Sequence, residues 1–143
     1  MSYDDNNIFA KILRGEIPCK KIYEDEFILS FHDINPQKKI HALVIPKGKY
    51  IDLDDFSQKA SKEEIVGLIK GINIVAKKLK ISVDTGKGYR ALSNISEDGG
   101  QEVPHLHFHL FPLKLYLCSK IYRLIIYSYM IHLLDYFFYL VQV

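Results

Sequence analysis

Half of the six histidines in this 143-residue chain stand at alternate positions, in 105-HLHFH-109, a few residues behind Gly99 and Gly100. In an extended strand the side-chain period of two puts His105, His107 and His109 on one face. Leu106, Phe108 and Leu110 then share the other. Three chemistries compete for such a row: polar filler on a strand, a metal site, or catalysis by imidazole. A metal is hard to fit. Same-face neighbours lie ~6.6 Å apart and the outer two ~13 Å apart, whereas zinc holds each imidazole nitrogen at ~2.1 Å. One ion reaches two of the three at most, and 6-NNIFAK-11 supplies no cysteine to complete a site. No metal and no cofactor are therefore expected.

Nucleophilic catalysis fits better. A neutral imidazole, with its usual pKa of ~6.5, attacks phosphorus well near neutral pH. Flanked by two more, it has donors at hand for phosphate oxygens and for a leaving group. The preceding 99-GGQE-102 offers backbone N–H groups that approach an anion with no Cβ in the way.

These residues need elements to hold them. Asn6 or Asn7 can cap a short helix in which Ile8, Phe9, Ile12 and Leu13 share a face and which Gly15 ends. Two short strands around a Glu-Asp turn follow in 20-KKIYEDEFILSFHD-33, with Phe27, Leu29 and Phe31 on one side. Residues 41 to 46, HALVIP, form a third strand stopped by proline. The long helix lies in 61-SKEEIVGLIKGINIVAKKLK-80. Ser61 and Glu64 make a capping box, and Ile65, Leu68, Ile69, Ile72, Ala76 and Leu79 keep the helical period. Gly67 and Gly71, one turn apart, allow it to sit close to a sheet. Strands at 88-GYRALSNI-95 and 102-EVPHLHFHLF-111 complete an α+β domain: an antiparallel sheet of about five strands with one long and one short helix.

Composition sets the outer limits. The formal net charge of +2 is too small for nucleic acid as the main partner. The N-terminus has no basic segment followed by an apolar one, and the two cysteines, Cys19 and Cys118, form no C-x-x-C. A cytoplasmic protein is expected. The chain also changes character at Pro112. Residues 1–112 carry 16 basic and 16 acidic side chains and read as one domain. Residues 113–143 hold six of the ten tyrosines, lack Gly, Pro and Ala, and are apolar or aromatic at 23 of 31 positions.

The triad and its surroundings resemble the histidine triad (HIT) superfamily, named for His-φ-His-φ-His-φ-φ with φ apolar. The similarity runs through IFAKILRGEIPCKKIYEDEFILSFHDINPQKKIHALVIPK and GYRALSNISEDGGQEVPHLHFHL, roughly residues 6–111, and is closest to the Hint branch. It implies a homodimer acting on AMP-like purine nucleotides, as a hydrolase of nucleoside phosphoramidates or aminoacyl adenylates. A diadenosine polyphosphate hydrolase of the same superfamily, or a catalytically silent nucleotide-binding module, are the alternatives. By resemblance, His107 is the nucleophile that becomes a nucleotidyl-histidine. His105 and His109 bond phosphate oxygens and assist the leaving group, and His41 orients the triad. Asp33 takes the ribose hydroxyls, although a turn residue before Asn-Pro reads the same way. Phe9, Phe31 and Ile34 line the base pocket, while Asn94 and the main chain at Gly100 and Glu102 hold phosphate. Many relatives carry Ser where Glu102 stands, so only its N–H transfers.

Two departures stand out. Zinc-binding relatives carry a C-x-x-C where this chain has Asn7 to Ala10, so zinc is not implied. After Leu110 the family's Gly-Arg-type turn and polar tail are replaced by FPLKLYLCSK and the apolar run. As a membrane span, the window 121–140 contains Arg123, His132 and Asp135, and central charges cost ~2.5–3.5 kcal/mol each. A helix or strand packed on the domain is a second reading. The composition, rich in residues with A/T-rich codons, fits best a segment read from a shifted frame or past a lost stop, exposed and sticky. Truncation after residue 115 is therefore expected to raise solubility and leave AMP affinity within about twofold, as measured by calorimetry. A truncated chain that does not fold contradicts this.

Overall fold

The computed structural model describes residues 2–112; the expectations placed on residues 113–143 lie outside the described residues. Residues 1–112 form a compact unit of their own. Eight elements follow in order: α1 (Ile8–Leu13), β1 (Lys21–Glu24), β2 (Ile28–His32), β3 (Ala42–Pro46), α2 (Leu53–Lys59), α3 (Lys62–Lys78), β4 (Arg90–Leu92) and β5 (Phe108–Phe111). The strands make one five-stranded sheet in the order β1-β2-β3-β5-β4, with every neighbouring pair antiparallel. This is the expected α+β architecture. Among the described residues, no helix is long and apolar enough to cross a membrane.

The central strands β2 and β3 are covered on both faces, and period-two alternation divides the sheet's buried side chains between two cores. Ile28, Ala42, Val44 and Leu110 point toward α3, where they meet Leu68, Ile72 and Val75. Leu29, Phe31, Leu43 and Ile45 point the other way and pack with Phe9 of α1. Phe27 does not join Leu29 and Phe31. It sits in the turn before β2, where Asp25 Oδ1 accepts from the N–H groups of Phe27 and Ile28, both at 2.9 Å. From there its ring packs against Gly67 on the α3 side.

Local signals account for most of the helices. The Asn7 carboxamide caps α1 by accepting from Ala10 N–H at 2.9 Å. Six residues are too few for a helix to persist alone. Burial of Phe9, worth roughly 1.5–3 kcal/mol, supplies what the helix itself lacks. In α3 the Ser61–Glu64 capping box forms as expected. Its buried stripe differs: Leu68, Gly71, Ile72, Val75 and Ala76 face the sheet, while Ile65 and Ile69 are exposed. The two glycines decide this rotation, because Phe27 and Ile28 occupy the space where side chains at 67 and 71 would stand. Helix α2 was not expected. Asp52 caps it and Asp54 and Asp55 fill its first turn, yet only Phe56 is a buried apolar anchor, too few to show a helical period.

The last strand is shorter than its sequence suggests. Pro104 has no N–H to give, and Leu106 N–H bonds the Tyr50 carbonyl at 2.7 Å instead of a neighbouring strand. Ladder pairing begins only at Phe108. His105 and His107 thus precede the strand. The close fit at Gly71 gives a stability test. A Cβ there would lie 2.3 Å from Cδ1 of the fully buried Ile28. Gly71→Val is expected to cost ~2–3 kcal/mol in urea unfolding by overpacking; an unchanged midpoint would show that the α3–sheet contact is loose.

Candidate active site

A cavity of about 1040 Å³ opens on the α1 side of the sheet. Its floor is a row of side chains brought into line by strand register: Phe31 opposite Leu43, Leu43 opposite His109, and His109 opposite Leu92. Phe9 of α1 forms one wall, its ring edge-on to His107 with centroids 5.1 Å apart. Asp33 and Ile34 stand at one rim, and Asn94, Gly100 and Glu102 at another. Gly100 has φ +71°, a left-handed conformation that suits glycine, and Asn94 Nδ2 donates to its carbonyl at 3.2 Å. Gln101 fastens this loop, donating to the Ile51 and Val103 carbonyls at 2.6 and 3.0 Å.

Proton positions in the cavity follow from hydrogen-bond partners that can play only one role. The His105 carbonyl can only accept, so His107 Nδ1, 2.7 Å away, must carry the proton. In the neutral ring Nε2 then holds a free lone pair. Gln37 N–H can only donate, so His41 Nδ1, at 3.2 Å, must be the acceptor, and its proton sits on Nε2. From there it is donated to His109 Nδ1 at 2.9 Å. The neutral His109 is left with its proton on Nε2. Two imidazoles with centroids 5.0 Å apart therefore present opposite characters, His107 as electron-pair donor and His109 as proton donor.

His105 does not take part in the cavity. It is fully buried, Nε2–H donates to the Pro46 carbonyl at 3.0 Å, and Nδ1 accepts from the Tyr3 hydroxyl. Both ring nitrogens are used, so the expected bond from His105 to phosphate is not available. The cause is the late start of β5, which lets the residues before Phe108 turn inward. All the other residues singled out in the sequence line this one cavity: Phe9, Phe31, Asp33, Ile34, His41 and His109, together with Asn94, Gly100, Glu102 and His107.

Among the described residues, one cluster offers three metal-ligand atoms within 4.8 Å of one another: Asp33, His41 and His109. Asp33 Oδ2 lies 3.4 Å from His41 Nε2 and 4.0 Å from His109 Nδ1. A metal-bound histidine usually gives its second N–H to an acceptor. His41 faces a donor instead, Gln37 N–H, which keeps the proton on the nitrogen a metal would need. The cluster is built to pass hydrogen bonds rather than to hold a cation.

The HIT domain model matches residues 14–115. The chain belongs to the HIT family. A HIT-like protein of Azospirillum brasilense is 57% identical over 110 residues, spanning 77% of this chain and 88% of its own. Among solved structures, a histidine triad protein from Clostridium difficile is 39% identical with a TM-score of 0.67. The match covers 80% of this chain and 95% of that one. A HIT family hydrolase from Clostridium thermocellum is 33% identical at the same TM-score, covering 79% and 95%.

Burial governs the electrostatics of this HIT domain. Desolvation pushes His109 down to about 4, helped by the neighbouring His107 and His41 and opposed by Asp33. His107 is also held below its usual value by burial, against its bond to the His105 carbonyl and the carboxylates of Asp33 and Glu102. Both rings are neutral at pH 7, as a lone pair on one and a single N–H on the other require. A depressed pKa keeps each ring neutral as the medium is acidified. For a nucleophilic His107 the acid limb of kcat/KM is expected below pH 6.5, where an ordinary histidine would place it. Stability, highest above pH 6.5, should fall toward pH 4 as the unfolded chain takes up protons that the folded rings refuse. An acid limb at or above 6.5 would contradict the burial argument.

Sequence reasoning missed Gln37 and Tyr3. Gln37 acts through its main chain, which no residue type advertises. Tyr3 meets a ring 102 positions away, and nothing in the local pattern of MSYDD points to it.

Proposed function

We propose that this HIT domain hydrolyses or transfers nucleoside monophosphate groups, with purine nucleoside phosphoramidates or aminoacyl adenylates as substrates. The observation that supports it most is the pairing of an unprotonated Nε2 on His107 with an Nε2–H on His109 in one cavity. His107 Nε2 attacks the α-phosphorus, forming the P–N bond of a nucleotidyl-histidine as the bond to the leaving group breaks. His109 gives its Nε2 proton to the departing amine or carboxylate, while the His41 Nε2–H stays bonded to His109 Nδ1 and steadies the ring that has lost its proton. Water then attacks the same phosphorus, His109 takes its proton, and AMP leaves with His107 restored.

The remaining lining residues suit this substrate class. Phe9, Phe31 and Ile34 offer apolar surface for a purine. Asp33, whose Oδ1 is occupied by Asn35 N–H at 2.8 Å, keeps lone pairs for ribose hydroxyls. Asn94 and the Glu102 N–H are the phosphate donors in this reading; the expected Gly100 N–H is not available, because it donates to the Glu97 carbonyl at 2.9 Å. The same reading carries a homodimer, in keeping with Val66 and Ile69 exposed side by side on α3.

His107→Ala is expected to lower turnover of adenosine phosphoramidate by ~10³-fold or more, while AMP binding stays within a few-fold. Rapid acid-free quenching with labelled substrate should place the label on His107. Steady turnover with the label on another residue, or on none, would sink the mechanism.

A further inference from the structure

We infer that Tyr3 is a positioning residue for this site, its hydroxyl holding His105 so that the His105 carbonyl keeps the proton of His107 on Nδ1. The kinetic part rests on the function proposed above; the placement rests on the geometry alone.

His105 is a hub with four attachments, the first being its own N–H, which donates to the Val103 carbonyl at 2.8 Å. Its Nε2–H reaches the Pro46 carbonyl at the end of β3, its Nδ1 receives the Tyr3 hydroxyl, and its own carbonyl binds His107 Nδ1–H at 2.7 Å. The tautomer is forced, because Pro46 can only accept; Nδ1 is therefore an acceptor that only a donor can satisfy. The ring is fully buried, with Phe9 and Tyr3 edge-on at 6.0 and 5.5 Å, and the Tyr3 hydroxyl fills that need. Without it, a buried nitrogen loses its partner, and the His105 ring is anchored on one side only. A shift of the ring pulls on the peptide that carries the His105 carbonyl, tied otherwise by the Leu106 N–H bond to the Tyr50 carbonyl at 2.7 Å. As that carbonyl leaves His107, the proton is free to occupy either ring nitrogen. A proton on Nε2 removes the lone pair that attacks.

The N-terminal arm is itself placed, so Tyr3 arrives at a fixed point. Asp5 pairs with Lys49 at 2.8 Å, its carbonyl accepts from Arg14 at 2.8 Å, and Asn7 Nδ2 donates to the Asp4 carbonyl at 2.7 Å. Burial raises the Tyr3 phenol above its ordinary range, so the hydroxyl keeps its proton. Tyr3 does not line the cavity, so its removal leaves substrate contacts alone. A plain packing role would move stability but neither the tautomer nor the split between kcat and KM.

The test is Tyr3→Phe in the full chain, which keeps the ring and deletes one oxygen. With adenosine phosphoramidate, kcat is expected to fall ~10–100-fold, the range for a lost positioning contact, with KM within twofold. Long-range nitrogen–proton spectra of the wild type should show His105 protonated on Nε2 and His107 on Nδ1. In the variant the His107 signals should become those of a tautomer mixture. Wild-type kcat together with an unchanged His107 tautomer in the variant would overturn the inference. So would a wild-type His105 protonated on Nδ1, a result that needs no variant. Wild-type protein with both tautomers as described but no turnover would overturn the proposed reaction instead, leaving the spectral comparison to decide the role of Tyr3.

Discussion

Everything in this site depends on one bond, from His107 Nδ1–H to the main-chain oxygen two residues before it. A free imidazole divides its proton between two nitrogens, and only one arrangement leaves a lone pair facing the cavity. A backbone carbonyl resolves the ambiguity because it has no proton to offer. The same logic, reversed, runs through Gln37 N–H, His41 and His109, where a backbone donor at one end pushes a proton toward the cavity at the other. The chemical contrast between two identical side chains is thus written by main-chain groups.

Such precision needs a scaffold that does not yield. Strands β2 and β3 are buried on both faces, so their register is fixed by packing from two sides. The row from Phe31 through Leu43 and His109 to Leu92 is a direct result of that register. A slip of one residue would send His109 into the α3 core and bring Leu110 to the cavity. On the far side, α3 lies close because residues 67 and 71 have no side chains to hold it off. The glycines contribute to the site at a distance, by keeping the sheet from shifting beneath it.

What could be read from the sequence follows the range of each signal. The Asn7 cap, the capping box at Ser61 and Glu64, the alternation of Leu29 and Phe31 in β2, the apolar run of β3 and the spacing of the histidines are local, and all are legible within a few residues. The cavity's lining is legible only through family resemblance, because Asp33, Asn94 and Gly100 are ordinary loop residues until the fold brings them together. Two features escaped for a physical reason. Alternation implies a straight strand through His105, but Pro104 and the bond from Leu106 to Tyr50 withdraw that residue from the ladder. Helix α2 buries one phenylalanine and shows no period to detect.

The strand order carries a further consequence, for how the chain comes to its native state. β5 lies between β3 and β4, and Ala42 pairs with Leu110, 68 positions later. The first three strands form a meander from neighbouring sequence and are complete by Pro46. The edge of β3, with Ala42, Leu43 and Val44 in a row, then stays open until almost the last residue of the compact unit is in place. Closing so long a loop is slow compared with forming a hairpin. During synthesis the chain therefore passes through a stage with an apolar, unpaired strand edge, the kind of surface on which nascent proteins associate wrongly and chaperones act. The insertion that ends this stage is the same event that delivers His107 and His109. Protection of the edge and birth of the site coincide.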